Sequence, residues 1–162
     1  MRILFASLAL ATLSACGLSP MYAGGGSGAV AQSLAAIDVA PIEGRAGWLV
    51  RAALEERFQA AGEVAPRYRI EVRLDDQLEG LAVLRDDTIS RERRTLRARY
   101  QLIDLATGDI LLDATDGSDA GIDVVSSEYA VIAAEQTALE NLSQDLAQRI
   151  TTRVALALRN QP

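Results

Sequence analysis

The stretch RYRIEVRL, residues 67–74, decides the fold because its apolar and charged residues alternate without interruption. The apolar members are Tyr68, Ile70, Val72 and Leu74. Successive side chains of a strand point to opposite faces, so this period of two is typical of a strand with one face buried and one face in water. The stretch therefore predicts a half-buried strand whose apolar face needs a covering layer.

Two further strands are predicted after this stretch. Residues 88–105 predict a returning strand, with a core face formed by Leu96, Ala98, Tyr100 and Leu102. Residues 85–87 and 106–109 contain turn-forming residues and predict the two hairpin turns of a meander. The core face continues in a third strand through Ile110, Leu112 and Ala114, and residues 116–121 are expected to end this strand or to form a bulge in it.

Segments before and after the meander predict one short strand and two helices. Residues 34–42 predict the strand, which Pro41 ends, and residues 45–61 predict a helix that stops at Gly62. Trp48 is expected to pack in the core or at its edge, and a contact with a partner is the second possibility. From a cap at Ser126 or Ser127 to about residue 158 the pattern is again helical. The apolar stripes of the two helices are Val50, Leu54 and Phe58, and Leu139, Leu142, Leu146, Ile150 and Val154.

One apolar face on each strand and one apolar stripe on each helix predict a two-layer α+β sandwich. The expected order is strand, helix, three-stranded meander and long helix, with both helices on one face of a mostly antiparallel four-stranded sheet. Residues 34–162 are expected to form this single domain. At 1.5 Å per residue the last helix approaches about 50 Å, so its end is free to project beyond the sheet.

The first 33 residues predict export and attachment to a membrane. Residues 1–15 combine Arg2, a short apolar run and small residues before Cys16, which is typical of a lipoprotein signal peptide with Cys16 as the acylated first mature residue. The alternative is an ordinary signal peptide with an incidental thiol. Residues 16–33 contain the run GGGSG at 24–28 and predict a flexible tether, with a reach on the order of 20 to 25 Å.

The composition excludes several classes of function. The chain of 162 residues has a formal net charge of -6, which disfavours nucleic-acid binding through a basic surface. It contains no histidine and a single cysteine, which removes Ser-His-Asp and Cys-His catalysis, histidine zinc sites and internal disulfides. The pairs at 75–76 and 86–87 are interpreted as hairpin-turn residues, because neither supplies a calcium array. No catalytic residue, cofactor or metal is therefore predicted.

Short motifs along the mature chain resemble the LptE family of LPS-assembly lipoproteins, in its alphaproteobacterial form. The first motif is the lipobox followed by CGLSPMY at residues 16–22, which is similar to the Cys-Gly-Phe-x-Pro-Leu-Tyr start of the family. The likeness continues at residues 39–42, 79–82, 85–88, 105–108 and 126–130. Leu18 and Met21 depart from the usual aromatic residue and leucine, and both remain apolar.

The resemblance implies a protein that binds and does not catalyse. Members of the family are small outer-membrane lipoproteins that plug and help to assemble the LPS-translocating β-barrel LptD and bind LPS during its insertion into the outer leaflet. Lipopolysaccharide, an LptD-type barrel and the outer membrane, reached through Cys16, are thus the expected partners. An auxiliary lipoprotein of another envelope lipid-transport or secretion system is the alternative. A lipid-anchored hydrolase that uses carboxylates alone would require a cleft with two converging acids.

An arginine stripe opposite the core face is the candidate binding surface. It comprises Arg91, Arg93, Arg97 and Arg99, flanked by Arg67, Arg69 and Arg73. Guanidinium groups bind phosphates and carboxylates in bidentate fashion, so the stripe is suited to LPS or to acids of the barrel lumen. The alternative is a solvated sheet face whose arginines reflect base composition, with Glu71, Glu92 and Asp104 as weak partners.

Overall fold

The structure, a computed structural model, describes residues 28–59, 62, 64–83 and 89–159. Within these ranges the chain forms three helices and four strands. The elements are α1 (Ala29–Ala35), β1 (Ile37–Val39), α2 (Gly44–Phe58), β2 (Tyr68–Val83), β3 (Ile89–Asp104), β4 (Ile110–Asp123) and α3 (Glu128–Arg159). The predicted signal peptide, Cys16 and the hairpin turn predicted at 85–87 lie outside the described residues.

The four strands form one sheet in the order β1-β2-β3-β4. β1 runs parallel to β2, whereas the β2-β3 and β3-β4 pairs are antiparallel. In this register Ile70 lies opposite Leu102, and Tyr100 lies opposite Ala114. The predicted α+β class, the meander and the order of the elements from β1 onwards are confirmed.

The alternation that predicts the strands is confirmed by burial. On β2, Tyr68, Ile70 and Val72 are buried, and on β3 the buried residues are Leu96, Ala98, Tyr100 and Leu102. These side chains meet the predicted helical stripes, since Val50, Leu54 and Phe58 of α2 and Leu146, Ile150 and Val154 of α3 belong to the same core cluster. One face of the sheet is therefore closed by helices.

A close approach at the start of α2 requires glycine. A Cβ added at Gly47 would lie 2.6 Å from the carbonyl oxygen of Ile42, which is far shorter than any normal contact. The absence of a side chain lets the loop after β1 pack directly on α2. This contact fixes where α2 begins to cover the sheet.

Two N-terminal predictions need correction. Helix α1 occupies part of the predicted tether 16–33, because Leu34 and Ala35 are buried and fix the preceding turns against the core. The described ranges therefore contain three helices, whereas two were predicted. The strand predicted over 34–42 is only Ile37–Val39, since residue 34 and the next residue belong to α1 and Pro41 lies beyond the last paired residue.

The predictions for the meander also need correction in three places. β4 continues through residues 116–121, because an unbroken ladder with β3 supplies the backbone hydrogen bonds that its glycines need. Ile110 is exposed, since a register shift between Leu102 and Ile103 displaces it from the core face. Asp75 and Asp76 lie within β2 and not in a hairpin turn.

The last helix is long and only partly covered. Its 32 residues correspond to about 48 Å, and Ser127 precedes it in the predicted cap position, where its carbonyl accepts the amides of Ala130 and Val131. The buried residues of α3 begin at Ala138. The first turns of α3 thus contribute nothing to the described core.

Candidate functional site

Most of the predicted arginine stripe lies together on the open face of the sheet. Arg69 and Arg73 of β2 and four arginines of β3 are exposed on the face opposite the helices, and we call these six residues the arginine face. Its β3 members are Arg91, Arg93, Arg97 and Arg99. Their odd numbering explains the shared face, because side chains of a strand alternate.

Arg67 does not join the arginine face. It precedes β2, and its guanidinium lies 3.6 Å from the Asp104 carboxylate and 5.0 Å from the centre of the Tyr68 ring. Asp104 and Tyr68 are both buried, so Arg67 is engaged at the end of the sheet. The predicted stripe is therefore shorter by one residue at this end.

Carboxylates from neighbouring strands pair with four residues of the arginine face. Nitrogen to oxygen distances are 2.9 Å for Arg69 to Asp38, 2.9 Å for Arg91 to Asp123, 3.9 Å for Arg93 to Asp119 and 3.0 Å for Arg99 to Asp113. The arginine face is therefore of mixed charge. Three of these acids come from β4, and the sequence analysis named none of them as a partner of the arginines.

The Arg99 pair shows the electrostatics of this face most clearly. Nε and Nη2 of Arg99 donate to the two carboxylate oxygens of Asp113, and the Gln101 amide donates to the same group. These hydrogen bonds raise the pKa of Arg99 and lower the pKa of Asp113. Both groups are exposed to solvent, so the pair orders the surface and adds little to stability.

Arg73 and Arg97 differ from the other members of the arginine face. Neither has a carboxylate within 4.0 Å among the residues that the structure describes. Arg73 lies directly opposite Arg99, and Arg97 lies opposite Asp75, whose carboxylate accepts both bonds from the Gln77 amide. A shallow cavity of about 180 Å³ lies beside Arg73 and is lined by this arginine together with Glu71, Arg99, Tyr100 and Gln101. Two guanidinium groups thus remain available for an external anion.

The helix-covered face contains ion pairs that the sequence analysis missed. Arg94 donates to both oxygens of Asp76, at 2.9 and 2.7 Å, and to the Glu135 carbonyl of α3 at 3.2 Å. The hydrogen bond with Asp76 raises the pKa of Arg94. The sequence did contain a signal for this pair. Arg94 has an even number, so alternation along β3 places it on the face opposite Arg93 and Arg97.

A second missed network lies further along the same face. The Tyr100 hydroxyl donates to Asp116 at 2.5 Å, and Arg153 of α3 donates to the other oxygen of Asp116 at 3.2 Å. Burial and the neighbouring carboxylate raise the pKa of Tyr100. The network joins β3, β4 and α3, and its role is structural.

Two aromatic side chains are placed where a partner can reach them. Trp48 of α2 is 66 % exposed, which makes the prediction of a packing role wrong, because the buried stripe of α2 is formed by other residues. Tyr129, in the first turn of α3, is 88 % exposed. Large exposed aromatic rings are characteristic of contact surfaces.

Metal sites and membrane-spanning helices are both absent from the described ranges. No group of three or more acidic or cysteine side chains is arranged there to hold a metal ion. None of the three helices combines enough length and hydropathy to cross a bilayer.

The comparison with protein families identifies the chain. The model of the LptE family, described as lipopolysaccharide-assembly, matches residues 34–154. A search of curated protein sequences finds no match.

Three solved structures with the same fold are bacterial lipoproteins. One, from Caulobacter crescentus, superposes with a TM-score of 0.65 at 20 % identity, covering 82 % of this chain and 97 % of that one. Rare lipoprotein B from Shewanella oneidensis superposes with a TM-score of 0.60 at 11 % identity, covering 77 % and 96 %. Lipoprotein B from Nitrosomonas europaea gives 0.58 at 15 % identity, covering 76 % and 83 %. By its match to the family model over most of the folded domain, the chain belongs to the LptE family of lipopolysaccharide-assembly proteins.

Proposed function

We propose that the protein is an outer-membrane lipoprotein, anchored through Cys16, that plugs and helps to assemble an LptD-type β-barrel and binds LPS during its insertion into the outer leaflet. The family match over residues 34–154 carries this proposal. The lipobox at Cys16 and the tether that follows support the anchor. The protein acts by binding, and the alternative remains an auxiliary lipoprotein of another envelope system.

Within this proposal, Arg73 and Arg97 are the arginines that contact the anionic groups of LPS. The other four members of the arginine face already have carboxylate partners, so an added anion would have to displace an existing ion pair. Arg73 lies opposite Arg99, and two like charges in direct cross-strand contact repel each other. A phosphate bound by Arg73 would offset this repulsion and accept bidentate hydrogen bonds from its guanidinium.

Paired variants test the assignment of the LPS contact. Arg73→Ala/Arg97→Ala should weaken binding of purified LPS by about tenfold or more, since each lost charge-assisted bond contributes about 1.5 kcal/mol. Arg91→Ala/Arg93→Ala is the matched control, because it removes two exposed arginines of the same face that are engaged with Asp123 and Asp119. Equal losses in the two variants would support a diffuse electrostatic surface, and unchanged binding in both would support the solvated-face interpretation.

The barrel contact is assigned to the exposed turns of α3 and to Trp48. Tyr129 and Ile132 lie before the first buried residue of α3, and Trp48 extends from α2. Exposed aromatic and aliphatic side chains outside the core are suited to contact the inner wall of a barrel. Replacement of Tyr129 and Trp48 by serine should reduce recovery of the barrel with the lipoprotein and leave folding unchanged.

Co-purification decides between the proposal and its alternative. The tagged lipoprotein, expressed with a large LptD-type barrel, should be recovered in a complex with it, and recovery of the lipoprotein alone would contradict the proposal. Depletion of the lipoprotein should cause loss of surface LPS and misassembly of the barrel. Normal LPS display after depletion would favour the auxiliary lipoprotein. Cys16→Ala should release the chain from membranes.

A further inference from the structure

Arg97 lies beside an open cavity of about 330 Å³ at the β4 side of the sheet. The cavity is lined by Thr95 and Arg97 of β3 and by residues 115–119 of β4. Its volume is within the range of ligand pockets, which begins at about 300 Å³. Arg97 is the one positively charged residue of this lining. The cavity therefore combines a guanidinium group with space for a ligand.

The two acids that line the cavity are already engaged by other arginines. Asp116 accepts a hydrogen bond from Arg153 at 3.2 Å. Asp119 lies 3.9 Å from the guanidinium of Arg93. Neither acid forms an ion pair with Arg97 within 4.0 Å. The charge that remains without a partner in this cavity is therefore the positive charge of Arg97.

Gly117 forms the floor beneath the side chain of Arg97. The two residues lie directly opposite each other on β4 and β3. A Cβ added at Gly117 would lie 3.1 Å from Cγ of Arg97 and 3.4 Å from the carbonyl oxygen of Leu96. The first distance is shorter than an ordinary van der Waals contact. The absence of a side chain thus lets Arg97 lie directly over the backbone of β4, and Gly117 positions its guanidinium in the cavity.

Two threonine hydroxyls provide neutral donors beside the guanidinium. Thr95 and Thr115 have odd numbers and therefore lie on the same open face as Arg97. Neither hydroxyl has a hydrogen-bond partner within residues 28–59, 62, 64–83 and 89–159. Both hydroxyls are therefore available to a ligand in the cavity.

The free edge of β4 adds backbone amides. The carbonyl of Ile70 accepts a hydrogen bond from the amide of Ala40, so the even-numbered residues of β2 point towards β1. In the register of the sheet, alternation then directs the odd-numbered residues of β4 away from β3. The amides of Thr115 and Gly117 consequently point out of the sheet at the cavity. Sheet edges of this kind form concavities that bind anions.

We propose that this cavity binds a phosphate monoester of a lipid headgroup through the guanidinium of Arg97, the hydroxyls of Thr95 and Thr115, and the outward amide of Gly117. Together these groups offer about five donors, whereas a carboxylate has roughly four acceptor positions. A phosphate monoester has three terminal oxygens and a charge of about -1.5 to -2 near pH 7, so it uses this set of donors more fully. The inference rests on the proposed function for the source of the phosphate, which is LPS.

Two glycine variants test whether the cavity is a built site, because neither changes the charge of the protein. In the full-length lipoprotein in non-ionic detergent, Gly117→Ala should displace Arg97 and weaken binding of purified LPS about tenfold. Gly121→Ala, on the same strand and face, is the matched control, since a Cβ there meets nothing within 4 Å. Alanine is no worse than glycine within a strand, so neither urea midpoint should fall. Equal affinities of the two variants for LPS would overturn the proposal.

An NMR titration of the parent chain tests the chemical class of the ligand without LPS. The amide resonances of Thr115 and Gly117 should shift with glucose 1-phosphate and not with acetate, and Thr115→Val should reduce the affinity several-fold. Equal shifts with acetate, or tighter binding of inorganic phosphate than of the monoester, would overturn the proposal. The absence of shifts in a parent that binds LPS would remove the site and leave the proposed function intact. A parent that binds glucose 1-phosphate but not LPS would contradict the proposed function and LPS as the source of the phosphate.

Discussion

On the helix-covered face of the sheet, Leu96, Ala98 and Tyr100 of β3 are buried, whereas Arg97 and Arg99 of the same strand are exposed on the open face. The two faces share one backbone and one register. They differ in what stabilises them, because burial of apolar area acts on the first and screened ion pairs act on the second. Substitutions on the covered face should therefore lower the free energy of unfolding, whereas substitutions on the open face should change only the chemistry of the surface.

The largest effect is expected in the core. Leu146→Ala removes a fully buried side chain of α3 and should lower the free energy of unfolding by about 3 kcal/mol, because a cavity remains where the side chain was. Leu156→Ala, at an exposed position of the same helix, is the control and should cost far less. Urea denaturation of both variants measures the difference. Similar losses would mean that α3 is not packed as described.

The next effect contrasts two aspartates of β4. Asp116→Ala leaves the buried Tyr100 hydroxyl without its acceptor and Arg153 without its partner, and it should lower the free energy of unfolding by about 2 kcal/mol. Asp113→Ala removes an exposed partner of Arg99 and should leave the denaturation midpoint almost unchanged. Thermal or urea unfolding compares them. Equal effects would remove the distinction between the two faces.

Unfolding at alkaline pH tests the hydrogen bond that Tyr100 donates to Asp116. Burial and Asp116 raise the pKa of Tyr100, so the folded state holds the phenol proton more tightly than the unfolded state does. The resulting stability is fully present below the ordinary tyrosine pKa of 10.0 and is lost as the pH rises above it. Denaturant midpoints measured from about pH 9 to pH 11 should fall more steeply for the parent than for Tyr100→Phe. Parallel slopes would contradict this account.

A smaller effect is expected where an arginine lies on the covered face. Arg94→Ala breaks the bidentate pair with Asp76 and the bond to the Glu135 carbonyl, and it should cost about 1 kcal/mol. Arg91→Ala breaks a more exposed pair with Asp123 and should cost less. Chemical denaturation, repeated at high salt, separates them because screening weakens the exposed pair first. A larger cost for Arg91→Ala would reverse the comparison.

The smallest effect concerns acid titration on the open face. Arg99 and Gln101 lower the pKa of Asp113, so the stability from this pair is present above the ordinary carboxyl pKa and is lost as the pH falls through the lowered value. Arg99→Ala should raise the pKa of the Asp113 carboxyl in an NMR titration, with no resolved change in the denaturation midpoint at neutral pH. An unshifted pKa would show that the pair does not persist in solution.

Several errors of the sequence analysis share one physical origin. Gly117 and Gly121 predict an end to β4, yet pairing with β3 holds both glycines in the strand. Trp48 looks like a core residue by its type, but the buried stripe of α2 is already complete without it. In each case, contacts with residues distant along the chain overrode the local preference.

The sequence by itself determined the layers: alternation at residues 67–74 and in β3, and helical stripes in α2 and α3, assigned the apolar residues to one shared core because local geometry sets the direction of each side chain. It also assigned the arginines to the opposite face. Only the tertiary structure decided which arginines are neutralised, since the acids that pair with them come mainly from β4 and depend on register. Arg73 and Arg97 are distinguished from their neighbours by that register alone.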